Sequence, residues 1–414
     1  MGTSGLIVGL DIGTTKICAV VGEVAGDGLV EIKGIGLSES TGLRKGMVVN
    51  IEQTVQAIRS AIQEAELMAG CEIHSVYVGI AGNHILSLNS HGVIAVKGNE
   101  IDKQDVERAI DAARAIAIPA DREVLHILPQ EYIVDNQRGI VDPLGMAGVR
   151  LEVRVHIVTG ATTSAKNIYS SCNRSDLDVD GMSLECLASA KAVLSPEERE
   201  LGVALVDLGG GTSDVAIFAN NAIKHTAVLA MGGQNVTNDI AFGLRTPVAE
   251  AEKIKTRYGC ALTDLVQSDE QIMVPSVGGV IPRRVERRVL AEICEARMDE
   301  ILSRVNQIIT DSGYSDRLGA GVVLTGGSAL LEGCKDLAEQ VFRKAVRIGY
   351  PRNVGGLKDL VNHPKYATAV GLLREAYALA PQSNNANKPV ADENEPGFLA
   401  RIVAIMKGWF SDIK

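Results

Sequence analysis

"LVDLGGGTSDVAIF", residues 205–218, sets three consecutive glycines between two apolar runs, with Asp207 before them and Asp214 after. Each run is strand-length and rich in small and β-branched residues, so the stretch reads as strand, tight turn, strand. A turn of Gly209, Gly210 and Gly211 costs backbone entropy and offers nothing to pack, so it calls for something that approaches its backbone closely. A twin lies near the start. "LIVGLDIGTTKICAVVGEV", residues 6–24, runs through an apolar stretch to Asp11, then Gly13, Thr14, Thr15 and Lys16, then a second apolar stretch. Either stretch alone also fits an ordinary structural turn. The pair on one plan predicts two similar lobes facing one another.

Phosphates account for the shared composition. Glycine lets backbone N–H groups meet oxygens directly, and the hydroxyls of Thr14, Thr15, Thr212 and Ser213 add hydrogen bonds. Carboxylates repel phosphate, so Asp11 and Asp207 are expected to hold a divalent cation, through water, that bridges the phosphates. A third site, "GVVLTGGSALLEG" (residues 321–333), sets Gly326, Gly327 and Ser328 at a strand-to-helix turn. Such a turn leaves room for a flat ring or a sugar, and by itself is equally an ordinary turn.

The 414 residues exceed one ordinary core, so two or more domains are expected. A hydrophobic share of 46% and a charged share of 22% are globular, and a net charge of −10 argues against a nucleic-acid binder, which needs a basic face. Seven cysteines, at 18, 71, 172, 186, 260, 294 and 334, form no C-x-x-C pair and fit reduced cytosolic thiols. The first residues, "MGTSGLIVGLDIG", lack the basic region of a signal peptide, and no apolar run reaches membrane-spanning length, so a cytoplasmic protein is expected.

The order DIGTTK, DLGGGTSD, TGGS resembles the actin, heat-shock-protein-70 and sugar-kinase ATPase superfamily, whose two lobes close on a magnesium-bound nucleotide. The resemblance implies a first phosphate loop of Asp11, Gly13, Thr14, Thr15 and Lys16, and a second of Gly209, Gly210, Gly211, Thr212 and Ser213. Asp207 would place Mg2+ and its water, while Gly326, Gly327 and Ser328 would border the adenosine. "TPVAEAEKIKTRYG", residues 246–259, looks like the helix that reaches ribose and base, with Thr246 as cap, Pro247 in the first turn and Gly259 at the end. Glu252 and Lys255 on it are either nucleoside contacts or a solvated i,i+3 pair. In "MSLECLASAKAVL", residues 182–194, Glu185 is the candidate that orients water; a glutamate there also suits a helix N-terminus with no further role.

Two further segments narrow the family. Residues 51–69 predict a helix capped by Asn50, "SVYVGIAG" a buried strand, and residues 84–162 a small unit of strands with one helix from about 103 to 117. Near the other end, "PQSNNANKPVADENEP" (residues 381–396) predicts a disordered linker. In "GFLARIVAIMKGWFSDIK", Phe398, Leu399, Ile402, Val403, Ile405, Met406, Trp409, Phe410 and Ile413 share one helical arc of about 160°. Such a face on a long tether suits a membrane surface, the alternative being the protein's own core or a partner groove.

With these segments the chain resembles the bacterial FtsA cell-division family over nearly its whole length. That resemblance implies an α/β, actin-like (ribonuclease-H-like) two-lobed ATPase fold with an inserted α+β subdomain and a C-terminal amphipathic helix. Its parts would be a first lobe (1–83, 163–193 and about 360–380), the insert (84–162), a second-lobe core (194–230 and 305–359), an outer subdomain (231–304), the linker (381–396) and the membrane-targeting helix (397–414). It further implies ATP and Mg2+ as cofactors, self-assembly into filaments, and attachment to an anionic membrane at the cytoplasmic face of the inner membrane. Partners would be the C-terminal peptide of FtsZ and, through residues 84–162, later division proteins. Any hydrolysis would be slow. Four arginines in "IPRRVERR" (281–288) stand out in an acidic chain; Arg283 and Arg287 are the candidates for an acidic FtsZ peptide, against a plain solvated helix start. A soluble sugar-kinase or chaperone-type ATPase and another actin-like scaffold are the rival functions.

Overall fold

The computed structural model describes residues 5–24, 29–278 and 281–379. The linker and the tail, with Phe398, Leu399, Ile402, Ile405, Met406, Trp409, Phe410 and Ile413, lie outside the described residues.

The two glycine hairpins seed two sheets of the same design. In the first, Leu6–Ile12 pairs antiparallel with Lys16–Val24, which pairs with Val30–Glu39; on its other side it runs parallel to Ser75–Ile80, itself parallel to Asp178–Leu184. In the second, Val203–Leu208 pairs antiparallel with Ser213–Ala219, which pairs with Ala222–Leu229; its other neighbour is the parallel Val322–Thr325, followed by Val346–Ile348. A short strand, Val354–Gly356, closes the first sheet beside Val30–Glu39, so chain from beyond the second lobe returns to the first.

Strand periodicity sorts the second hairpin between two cores. Val203, Leu205, Ala216 and Phe218 join the core that holds the first sheet. Their alternates Ala204, Val206, Leu208, Val215 and Ile217 join the second lobe's own core. Both strands are buried on both faces, which is why their sequence is continuously apolar rather than alternating.

The helix over Ile51–Ala69 forms as its pattern predicts, with the Asn50 side chain accepting from the Gln53 N–H and Gly70 ending it at φ 67°. The segment between the lobes builds a four-stranded sheet from Leu86–Ala95, Arg122–Val134, Gln137–Ile140 and Arg150–Ala161. One helix, Lys103–Arg114, packs on it over a separate apolar core. That helix stops three residues short of the expected end at 117. Ile116 N–H turns back to Arg114 C=O, and Pro119 disfavours helical backbone just before it. The long helix Arg287–Asp311 runs unbroken through 304–305, the expected border of the outer subdomain, so one element serves both parts of the second lobe. All seven cysteines are unbridged, and no helix among the described residues is long and apolar enough to cross a membrane.

Candidate functional site

Both hairpins close with the same turn bond. Gly13 N–H donates to the Lys16 carbonyl and Gly209 N–H to the Thr212 carbonyl, each at 3.0 Å. Each turn glycine follows its aspartate by two residues, so Asp11 and Asp207 end their strands at matching places, facing Cys18 and Asp214 across the hairpins.

The fold brings the two turns tip to tip. A Cβ on Gly210 would stand 2.4 Å from Thr15 Cγ2, and one on Gly211 would stand 2.4 Å from Thr14 Oγ1. What approaches the glycine triplet in this structure is therefore the opposite loop. Thr14 Oγ1 also accepts from Gly46 N–H at 2.9 Å, tying the loop to a small two-stranded turn.

The third glycine site joins the same cleft. Gly326 has φ 84°, and a Cβ there would lie 2.4 Å from Asp207 Oδ1; Ser328 Oγ donates to the Gly209 carbonyl at 3.0 Å, and Gly327 faces Lys365. The helix Gly233–Gly243 starts against the second turn, its Gly233 and Gln234 N–H groups donating to the Gly209 and Gly210 carbonyls at 2.9 and 2.8 Å. Lys255 Nζ donates to Glu252 at 2.7 Å, to Thr237 Oγ1 at 2.9 Å and to the Gly233 carbonyl at 3.1 Å. Glu252 and Lys255 are thus an i,i+3 pair that the cleft has recruited, with the lysine side chain only 13% exposed. Their helix spans Val248–Tyr258, and Thr246 does not cap it. Pro247 holds the cap position, and the Thr246 hydroxyl is buried without a hydrogen-bond partner among the described residues. Gly259 ends the helix in extended backbone, required there by close approach: a Cβ would stand 2.5 Å from the Lys255 carbonyl oxygen.

Four carboxylates, Asp11, Glu185, Asp207 and Asp214, act on one another in this cleft, and Lys16 pairs with the first of them. Lys16 Nζ meets Asp11 Oδ2 at 2.5 Å; burial works against its charge, yet Asp11, with Cys18 and Glu185 adding to it, holds the lysine above its ordinary value. Burial, reinforced by Asp11, Asp214 and Asp207, pushes Glu185 well above the carboxylate range. Asp214 is pushed up to about 8 by burial and then by Asp207. Asp207 is pushed up to about 6 by burial, with Asp11 adding to the rise and a hydrogen bond from Ser189 opposing it. Thr212 donates to Asp214 Oδ2 at 2.8 Å, while buried Oδ1 has no partner among the described residues.

This donor set fits a divalent cation: hard oxygens in excess negative charge, with one buried carboxylate oxygen still unused. Among the described residues no three His, Cys, Asp or Glu side chains converge closely enough to hold a metal alone. A bound Mg2+ would take water and phosphate oxygens for much of its shell. Sequence reasoning placed Asp11, Asp207 and both loops here but passed over Asp214, Gly232, Gly233, Thr237, Ser189 and Thr368. Three of these carried a local signal: Asp214 closes the glycine motif, and Gly232–Gly233 is another glycine pair opening a helix.

The basic stretch lies on the second lobe, beside the end of the helix Val248–Tyr258. Arg283 to Glu286 form a strand against Gln271–Val274, and the long helix begins at Arg287. Arg283 donates to the Leu244 carbonyl. Arg287 is only 15% exposed, ion-paired to Glu270 at 2.8 Å and to Glu332, and donates to the Tyr258 carbonyl at 2.9 Å. Arg284 is exposed, and Arg288 is half-exposed with a loose 3.8 Å approach to Glu292.

Twin glycine hairpins meeting tip to tip between two sheets of one design define an actin-like protein. Among solved structures the fold matches the PilM–PilN type IV pilus biogenesis complex, with a TM-score of 0.63 at 16% identity over 89% of this chain and 97% of that one. It also matches MreB5 of Spiroplasma citri bound to ADP, with a TM-score of 0.54 at 12% identity over 89% and 95%. A family model described as cell division protein FtsA matches residues 204–371, and one described as the SHS2 domain inserted in FTSA matches residues 82–159. The cell division protein FtsA of Pseudomonas aeruginosa is 53% identical over 411 residues, 98% of each chain. Those of Neisseria meningitidis serogroup B and Escherichia coli K12 are each 45% identical, over 97% and 89% of both chains. The chain belongs to the FtsA family of cell-division proteins.

Proposed function

We propose that this chain binds ATP with Mg2+ between its lobes, assembles into filaments, and tethers FtsZ to the cytoplasmic face of the inner membrane through its C-terminal amphipathic helix. The observation that carries the nucleotide part is the meeting of both glycine turns beside four carboxylates and one lysine. Nucleotide binding by the chain's fold neighbour MreB5 of Spiroplasma citri, whose structure holds ADP, accords with it. Membrane attachment rests on the apolar arc of residues 398–413 behind a polar tether. One such helix binds weakly, and many copies on a filament bind firmly by avidity. FtsZ contact is assigned to the arginine stretch, with Arg283, Arg284 and Arg288 meeting an acidic peptide and Arg287 supporting them from within. Residues 84–162 are the surface offered to later division proteins.

The test is co-sedimentation with anionic liposomes of the whole chain and of a version ending at Pro381, each with and without Mg-ATP and FtsZ. The whole chain is expected to pellet and carry FtsZ with it. Equal behaviour of both versions would overturn the membrane assignment and leave a soluble nucleotide-binding protein.

A further inference from the structure

Asp207 belongs to the second-lobe hairpin, but the hydroxyls that hold it come from two helices outside that lobe's sheet. Ser189, on the helix Glu185–Val193, donates to Asp207 Oδ2 at 2.6 Å. Thr368, on the helix Ala367–Leu379, lies 3.0 Å from Ser189 Oγ and 3.4 Å from the same carboxylate oxygen. The helix carrying Ser189 packs against strands of both sheets and against the helix carrying Thr368. Those two helices touch backbone to backbone, since a Cβ on Gly371 would stand 1.8 Å from the Ala188 carbonyl oxygen. Ser189 is fully buried and Thr368 nearly so, which favours their bonds to each other and to Asp207 over bonds to water.

Two hydroxyl protons serve three contacts, which fixes the direction of the chain. The short bond to the carboxylate takes the Ser189 proton. Thr368 then donates chiefly to Ser189 Oγ, giving a relay from Thr368 to Ser189 to Asp207. Oδ1, the oxygen outside the relay, is the one against Gly326.

We infer that Ser189 and Thr368 are positioning residues that fix Asp207 for the cation, so that Mg2+-dependent nucleotide binding requires the second-lobe hairpin to be seated on these two helices. The inference rests on the nucleotide reading above. Both hydroxyls are spent on Asp207 and on each other, so in this role they act through Asp207 alone. Any opening of the second lobe that lifts Val203–Leu208 from the helix Glu185–Val193 breaks the Ser189 bond and releases the aspartate from its aim.

The test measures the affinity of the full chain for a fluorescent ATP analogue in Mg2+ and in EDTA, with melting temperatures taken without nucleotide. Wild type should bind more tightly in Mg2+. Ser189→Ala should lose about tenfold or more in Mg2+, the scale of a hydrogen bond to a charged group, and Thr368→Val about threefold or more, the scale of a neutral one, both with affinity in EDTA unchanged. Thr368→Ser, which keeps the hydroxyl, should retain the wild-type gain. Should Ser189→Ala fail to fold, the two Thr368 variants decide between them. A full Mg2+ gain in Thr368→Val, or an equal loss in Mg2+ and in EDTA, overturns the positioning role. A wild-type chain with no Mg2+ gain overturns the nucleotide reading itself, and this inference with it.

Discussion

Burial lifts Asp214 to about 8 and Asp207 to about 6, so both carboxyls bind protons more tightly folded than unfolded. Their stabilising contribution is complete below the ordinary aspartate range, about 3.9, and is lost as pH rises through those values. The nucleotide-free protein is therefore expected to melt a few degrees lower near pH 8.5 than near pH 6, and Asp214→Asn to remove much of that difference. Mg2+ with nucleotide should oppose the loss by supplying the missing positive charge. A flat melting profile by scanning fluorimetry across this range would show that Lys16 already balances the cluster. The glycines belong to the same scale: Gly210 and Gly211 are required where the threonines of the other loop press on them.

The arginine-rich element divides by what its side chains touch. Arg287 satisfies Glu270, Glu332 and the Tyr258 carbonyl, fastening the start of the long helix to the neighbouring helix and loops. Arg287→Ala should cost about 1–3 kcal/mol in urea unfolding, because it leaves carboxylates and a carbonyl without their donor. Arg284→Ala with Arg288→Ala should stay within about 0.5 kcal/mol of wild type, since neither holds a tight pair. If the stretch receives an acidic peptide, that same double variant should weaken its binding severalfold in a polarisation titration. Unchanged peptide affinity would return the stretch to a solvated helix start.

On the scale of the whole molecule, the unit built from residues 86–161 seats on the second lobe through polar contacts that are largely shielded from solvent. Ser87 Oγ donates to the Thr226 carbonyl at 2.8 Å, Gln130 donates to the Ile223 carbonyl at 2.9 Å, and His156 bridges Asn89 at 2.7 Å and Thr226 Oγ1 at 2.9 Å. Burial, with His225 and His126 nearby, holds His156 down to about 3. A depressed histidine contributes stability above its ordinary value of about 6.5 and loses it as pH falls toward the folded value. Acid should therefore loosen this junction before the sheets themselves. Hydrogen exchange near pH 5 is expected to rise first in Ala222–Leu229 and Arg150–Ala161, and uniform protection across the junction would count against His156 as its weak point.

Local sequence determined the twin hairpins, the helix over Ile51–Ala69 and the doubly buried strands, because turn glycines, caps and apolar periodicity act over a few residues. It also marked Asp11, Asp207 and the glycine loops, since their chemistry is written in contiguous motifs. Tertiary structure alone decided that Thr14 and Thr15 fill the space beside the triplet, that Arg287 faces inward, and that Thr246 leaves the helix uncapped. It alone joined Ser189 and Thr368 to Asp207, across 18 and 161 residues of chain. The physical reason is distance along the chain: a hydroxyl's partner and a charge's burial depend on which remote elements the fold sets beside them, and no local pattern encodes that choice.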